Sequence, residues 1–178
     1  GAVRATYADR NPLLPRPQQI HYDDGSVSLK GMRIMFSSTP SDEDKFAAEQ
    51  LSSYLEKRTG IRPSIQTDNF ASKEGPAIVL ERVGSADQPL ALPGDLPGQK
   101  SREAYSLAVT PRGVTIHATS SAGLFYGAQT LRQLVEGSGQ NSVLPLVEIH
   151  DWPTFAYRGT MIDMSHGPLP TEKEIEHQ

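Results

Sequence analysis

Carboxylates and imidazoles are the side chains best suited to moving protons near neutrality, and this sequence carries them in a few close groups. Asp23-Asp24, the run Asp42-Glu43-Asp44, and Glu172, Glu174 and Glu176 are the groups in which two carboxylates could divide acid and base or nucleophile roles. Each also has a plainer reading. Asp23-Asp24-Gly25 has turn chemistry and predicts a hairpin turn over His21 to Gly25. Asp42 to Asp44 sit where a helix N-terminus favours anions, which predicts a solvated first turn. Glu174, three residues after Thr171, completes a capping-box signature.

The histidines are sparser. His117 lies inside an alternating apolar segment and reads as a packed or edge side chain, and His21 falls at a strand end. His150-Asp151 and Asp163-x-x-His166 pair imidazole with carboxylate in sequence, but neither has the His-x-x-x-His spacing of a helical zinc site. Ser165 and His166 are adjacent, a spacing that does not set a hydroxyl against an imidazole as a triad does. Gly94 to Gly98 is not followed by Lys-Ser/Thr at the phosphate-loop spacing, and the chain after it does not read as helical, which argues against a nucleotide site. The polar density rises only in the tail, at Tyr157-Arg158-Gly159, Asp163 and Ser165-His166-Gly167. Polar groups along a strand and at its exit are where a barrel enzyme builds its site; the plainer alternative makes Arg158 a structural ion-pair partner.

The elements that must position these groups are legible from periodicity. Leu14 to Ile20 reads as an extended lead-in, because each Pro keeps its predecessor out of the α region. Val27, Leu29, Met32, Ile34 and Phe36 suggest a strand pair broken near Gly31. A helix begins at Thr39, with Pro40 in its first position, Ala47, Leu51, Tyr54, Leu55 and Arg58 at helical spacing, and Gly60 as terminator. Pro63 to Thr67 and Ala77 to Leu80 read as buried strands, and Gly84 to Lys100 as a long loop. Tyr105 to Thr110 and Val114 to Ala118 alternate around Pro111-Arg112 and predict a hairpin. A second helix opens at Ser120 or Ser121 and runs to about Val135, with Leu124, Ala128, Leu131 and Leu134 or Val135 as its core face. Gly123 and Gly127 within it predict a close approach to the sheet. Val143 to Ile149 is strand-like, Trp152-Pro153 breaks it, Tyr157 to Met164 is another strand, and Thr171 opens a helix that stops at Gln178. A strand and an opened helix left unfinished predict a boundary near Asp151 and the start of a second domain.

Composition agrees with a globular domain and excludes several classes. At 178 residues the chain can bury roughly 70% of its unfolded surface. A net charge of −4 offers no basic excess for tracking phosphates, so no nucleic-acid partner is expected. The absence of Cys excludes disulfides, thiolate zinc sites and thiol nucleophiles. The longest aliphatic stretch, Ala77 to Leu80, falls far short of the ~20 residues of a membrane span. Strands interleaved with two long helices favour an α+β sheet with helices on one face.

Several of these segments together resemble a known family. Gly123-Leu124-Phe125-Tyr126-Gly127-Ala128-Gln129-Thr130-Leu131-Arg132-Gln133-Leu134 is similar to the Gly-x-x-x-Gly-x-Gln-Thr-Leu-x-Gln-Leu helix of glycoside hydrolase family 20, the β-N-acetylhexosaminidases. The similarity continues through Leu144-Pro145 and Ile149-His150-Asp151-Trp152-Pro153 to Phe155-Ala156-Tyr157-Arg158-Gly159-Thr160-Met161-Ile162-Asp163-Met164-Ser165. Leu14 to Gln18 and the hairpin Glu103 to Ala118 also fit. The resemblance implies an extension over residues 1–12 and then an α+β accessory domain over 13–150. That domain is zincin-like in shape, a mixed sheet with two main helices on one face, and has neither zinc nor activity. Residues 151–178 would be the truncated start of a (β/α)8 barrel.

The resemblance also implies that Arg158 hydrogen-bonds sugar hydroxyls, a task its fixed fork of donors suits. Asp163 and His166 are further substrate-binding candidates. No catalytic residue, metal or cofactor is implied within the chain. The family's acid/base Glu and preceding Asp would lie beyond Gln178, and the substrate's own acetamido oxygen attacks the anomeric carbon. The implied partners are the chain's own barrel and a glycan, in an exported bacterial protein (periplasmic or extracellular). The family's Asp-x-Ser-Arg-His is Asp163-Met164-Ser165-His166-Gly167 here, without the Arg. Two alternatives stay open: a carbohydrate- or partner-binding module, and the accessory domain of a related glycosidase such as an α-glucuronidase or an O-GlcNAc hydrolase.

Overall fold

A computed structural model describes residues 12–67, 75–87 and 92–155. The strands are β1 (Gln19–Ser28), β2 (Arg33–Phe36), β3 (Ile65–Gln66), β4 (Ala77–Ser85), β5 (Tyr105–Thr110), β6 (Gly113–Ser120) and β7 (Val143–Asp151), and the helices are α1 (Asp42–Thr59) and α2 (Ser121–Leu134). The strands form one sheet in the order β1-β7-β5-β6-β4-β2-β3. The β5–β6 hairpin and the β1–β7 and β5–β7 pairs are antiparallel, whereas β6–β4, β4–β2 and β2–β3 run parallel. The fold is α+β with a mixed sheet and two helices.

Alternation decides the sheet's two faces. Leu107, Val109, Val114, Ile116, Ile78, Leu80, Val147 and Ile149 are buried and form one core cluster with Leu51 and Leu55 of α1 and Leu124, Ala128 and Leu131 of α2. Burying these side chains supplies the main driving force, about 1.5–3 kcal/mol for each large aliphatic. The residues between them, among them Ser106, Thr115, His117, Glu148 and His150, point to the other face, which no described element covers.

Gly123 and Gly127 are the reason α2 lies so close to the sheet. A Cβ at Gly123 would stand 2.5 Å from the Ala104 carbonyl oxygen, and one at Gly127 would stand 2.4 Å from the Ile116 methyl. Both distances are far inside van der Waals contact, so the expected close approach is observed.

Several expectations are corrected. His21 to Gly25 is not a hairpin turn, because β1 runs through it and pairs with β7 on both sides of a register shift between Tyr22 and Ser26. The long β7 partner outweighs the local turn chemistry. Helix α1 begins at Asp42, not Thr39, because Ser41 caps it: the Ser41 hydroxyl accepts from the Asp44 amide, and the Asp44 carboxylate accepts from the Ser41 amide. Gly60, at φ +76°, ends that helix as expected. Strand β4 continues to Ser85, two residues into the expected loop. The strand and helix predicted beyond residue 155 lie outside the described residues.

Candidate functional site

Arg158, Asp163 and His166 lie outside the described residues, but the segment that leads to them is held in place. Asp151 closes β7, and its carboxylate accepts from the Tyr105 hydroxyl at 3.1 Å and from the Gln18 and Trp152 amides at 3.1 and 3.0 Å. Tyr105 also shares a short hydrogen bond with Thr130 of α2. Burial pushes the Tyr105 phenol well above its ordinary range, so it stays protonated and continues to donate. Beyond Asp151, the Gln18 side-chain amide donates to the Trp152 carbonyl and to the Thr154 hydroxyl at 2.9 Å, and the Gly98 amide donates to Pro153 at 2.9 Å. The Gln133 amide group clasps Leu14 in both directions, at 2.8 and 2.9 Å. Leu14 is thus fastened to α2, and residues 151–154 are fastened to Gln18, to Tyr105 of β5 and to the loop before it.

The helices present the second feature. Phe46 of α1 is 53% exposed and stacks on Phe125 of α2, with ring centroids 6.2 Å apart. Arg132 lies over the Tyr54 ring at 4.4 Å and donates to Gln129 at 2.7 Å. Two aromatic contacts therefore bridge the helices, the exposed Phe46–Phe125 pair and Arg132 on Tyr54.

The uncovered sheet face gathers histidines. His117 stands 3.2 Å from Glu81, His150 2.9 Å from Glu148, and His21 3.3 Å from Asp23. His117 lies on a central strand instead of packing in the core or at an edge. His150 and Asp151, adjacent in sequence, point to opposite faces of the sheet, and the carboxylate beside His150 is that of Glu148, two residues away.

Residues 10–152 match the family model described as glycosyl hydrolase family 20, domain 2. The chain belongs to glycosyl hydrolase family 20. This domain is 40% identical over 156 residues to a β-N-acetylhexosaminidase of Cellulomonas fimi, covering 86% of this chain and 28% of that protein. It is 33% identical over 172 residues to a β-hexosaminidase of Porphyromonas gingivalis, covering 93% and 20%. A solved chitobiase of Flavobacterium johnsoniae superposes with a TM-score of 0.64 at 26% identity, covering 85% of this chain and 22% of that one. The Streptomyces plicatus N-acetyl-β-hexosaminidase does so with a TM-score of 0.57 at 27% identity, covering 84% and 27%. The chain therefore spans about a quarter of the length of these relatives.

Within the family 20 domain, one cluster looks catalytic and is structural. Asp44, 2% exposed, accepts from Arg82 Nε at 2.9 Å and from the Ser121 hydroxyl at 2.6 Å, and Arg82 also donates to the Gly84 carbonyl. Both carboxylate oxygens are occupied, so the group welds the starts of α1 and α2 to β4. From sequence Asp44 belongs to a solvated first turn; its second role beside the cap shows only through Arg82, 38 positions away. Arg102 and Asp95 form a comparable clasp on the long loop, at 2.8 and 3.1 Å. Arg102 and the Leu92 amide both donate to Asp95 and hold its carboxyl below the usual range. Among the described residues, no three His, Asp or Glu side chains converge on a metal position.

Proposed function

We propose that residues 13–150 form the accessory domain that buttresses the catalytic barrel of a β-N-acetylhexosaminidase, and that the barrel begins within 151–178. The observation that carries this reading is the fastening of residues 151–154 by Gln18, Tyr105 and Gly98, which gives the following segment a fixed starting point. A barrel's first strand needs such an anchor if Arg158 is to reach a sugar pocket reproducibly, because binding groups must be held to within a fraction of an ångström. The Phe46–Phe125 pair receives that barrel. Its aromatics would be poorly placed in water and well placed against a second core, and about three quarters of the length of the relatives lies outside the region matched by this chain.

In this reading the domain contributes position and not chemistry. Arg158 donates to sugar hydroxyls, with Asp163 and His166 nearby in sequence; the acid/base carboxylate belongs to a later strand, and the substrate's acetamido oxygen is the nucleophile. The test is hydrolysis of a chromogenic N-acetylglucosaminide by the 178-residue chain and by the longer parent protein. Turnover by the parent alone is expected, with Phe46→Ser lowering the temperature at which the parent loses activity. Turnover by the 178 residues would overturn the assignment.

A further inference from the structure

We propose that the uncovered sheet face carries a binding site for a neutral sugar ring, centred on Ser106 between His117 and His150. The register sets this row: Gln19 opposite His150, His150 opposite Ser106, Ser106 opposite His117, and His117 opposite Glu81. With strands about 4.8 Å apart, the two histidine positions stand roughly 10 Å from each other across a single small hydroxyl residue. A depression of about 340 Å³ occupies this place, lined by Gln19, Lys100, Ser106, His117, His150 and Trp152. That volume is at the lower end of small-molecule sites, which matches a ligand of one or two rings.

The chemistry selects the ligand class. Each imidazole is about half exposed and turns one nitrogen toward a carboxylate, Nδ1 of His117 toward Glu81 and Nε2 of His150 toward Glu148. In the neutral tautomer that places the proton on that nitrogen, Nε2 of His117 and Nδ1 of His150 are acceptors. The Ser106 hydroxyl, the Gln19 amide and the Lys100 ammonium add donors. Paired acceptors and donors at this spacing suit hydroxyl groups, which both give and take hydrogen bonds. Trp152 supplies apolar surface for the C–H face of a pyranose. An anion is disfavoured, because each imidazole has a carboxylate beside it, Glu81 for His117 and Glu148 for His150. The site lies on the opposite side of the sheet from the helices and does not depend on what covers them.

Titration of the ¹⁵N-labelled 178-residue chain with N-acetylglucosamine, its β-1,4 dimer, glucose and inorganic phosphate tests the proposal. Saturable shifts of the amide signals of residues 19, 106, 117 and 150 are expected with at least one sugar, and none with phosphate. His117→Ala and His150→Ala should each weaken binding about tenfold, the loss of one good hydrogen bond, with unfolding temperature unchanged. Ser106→Val, which fills the floor of the depression, should abolish binding and serves if a histidine variant does not fold. No saturable response to any sugar, a response to phosphate, or sugar binding indifferent to these variants would overturn the site. Because no hydrolysis is measured, such a failure leaves the buttress reading standing.

Discussion

The two faces of the sheet solve different problems with the same alternating strands. On the helix side, Leu107, Ile116 and Ile149 are fully buried, and α2 is pulled so close that glycine alone fits at positions 123 and 127. On the other side, the residues between them are Ser106, His117, Glu148 and His150, with both histidine side chains a little under half exposed. The first face holds the domain together and the second tolerates change. Stability should therefore be sensitive to substitution on one side and nearly indifferent on the other.

The largest expected effect comes from Asp44→Ala. It strands the largely buried Arg82, removes the acceptor of Ser121 and breaks the α1 cap, so a loss of about 3–5 kcal/mol in urea unfolding is expected. A cost under about 1 kcal/mol would mean that the helix starts are not welded to β4. Gly123→Ala comes next. Alanine adds about 1 kcal/mol of helix propensity, but its methyl meets a backbone carbonyl that cannot swing away. Overpacking wins, with a net loss of about 1–3 kcal/mol; a more stable variant would show that α2 can lift off the sheet.

Tyr105→Phe removes the hydroxyl that joins Asp151 to Thr130 and should cost about 1–2 kcal/mol. It also changes the alkaline limb. The folded phenol titrates higher than the unfolded one, so the stability it contributes is complete below pH ~10 and lost as pH rises beyond. The variant's stability should be flatter above pH ~10. Asp95 has the opposite sign. Its carboxyl is lowered in the fold, so the clasp to Arg102 is present at neutral pH and lost as the medium acidifies below about pH 4. Hydrogen-exchange protection of the loop around residues 92–104, taken relative to the intrinsic rate at each pH, should fall there, and Asp95→Asn should remove that acid dependence. The smallest effect belongs to the open face. His117→Ala should change stability by no more than about 0.5 kcal/mol, and a larger loss would erase the distinction between the faces.

Much of this was written in local pattern. The β5–β6 hairpin, the core face of α2 at Leu124, Ala128 and Leu131, the Gly60 stop and the close approach of Gly123 and Gly127 all follow from spacing and from what each residue type permits. Such features need only a few neighbouring residues to be specified, as do the segments that resemble family 20. Strand order, the passage of β1 through Asp23-Asp24-Gly25 and the burial of Asp44 against Arg82 were decided by the tertiary structure alone. They depend on which distant segment arrives alongside, and a carboxylate in a first turn reads the same in sequence whether water or a guanidinium waits beside it.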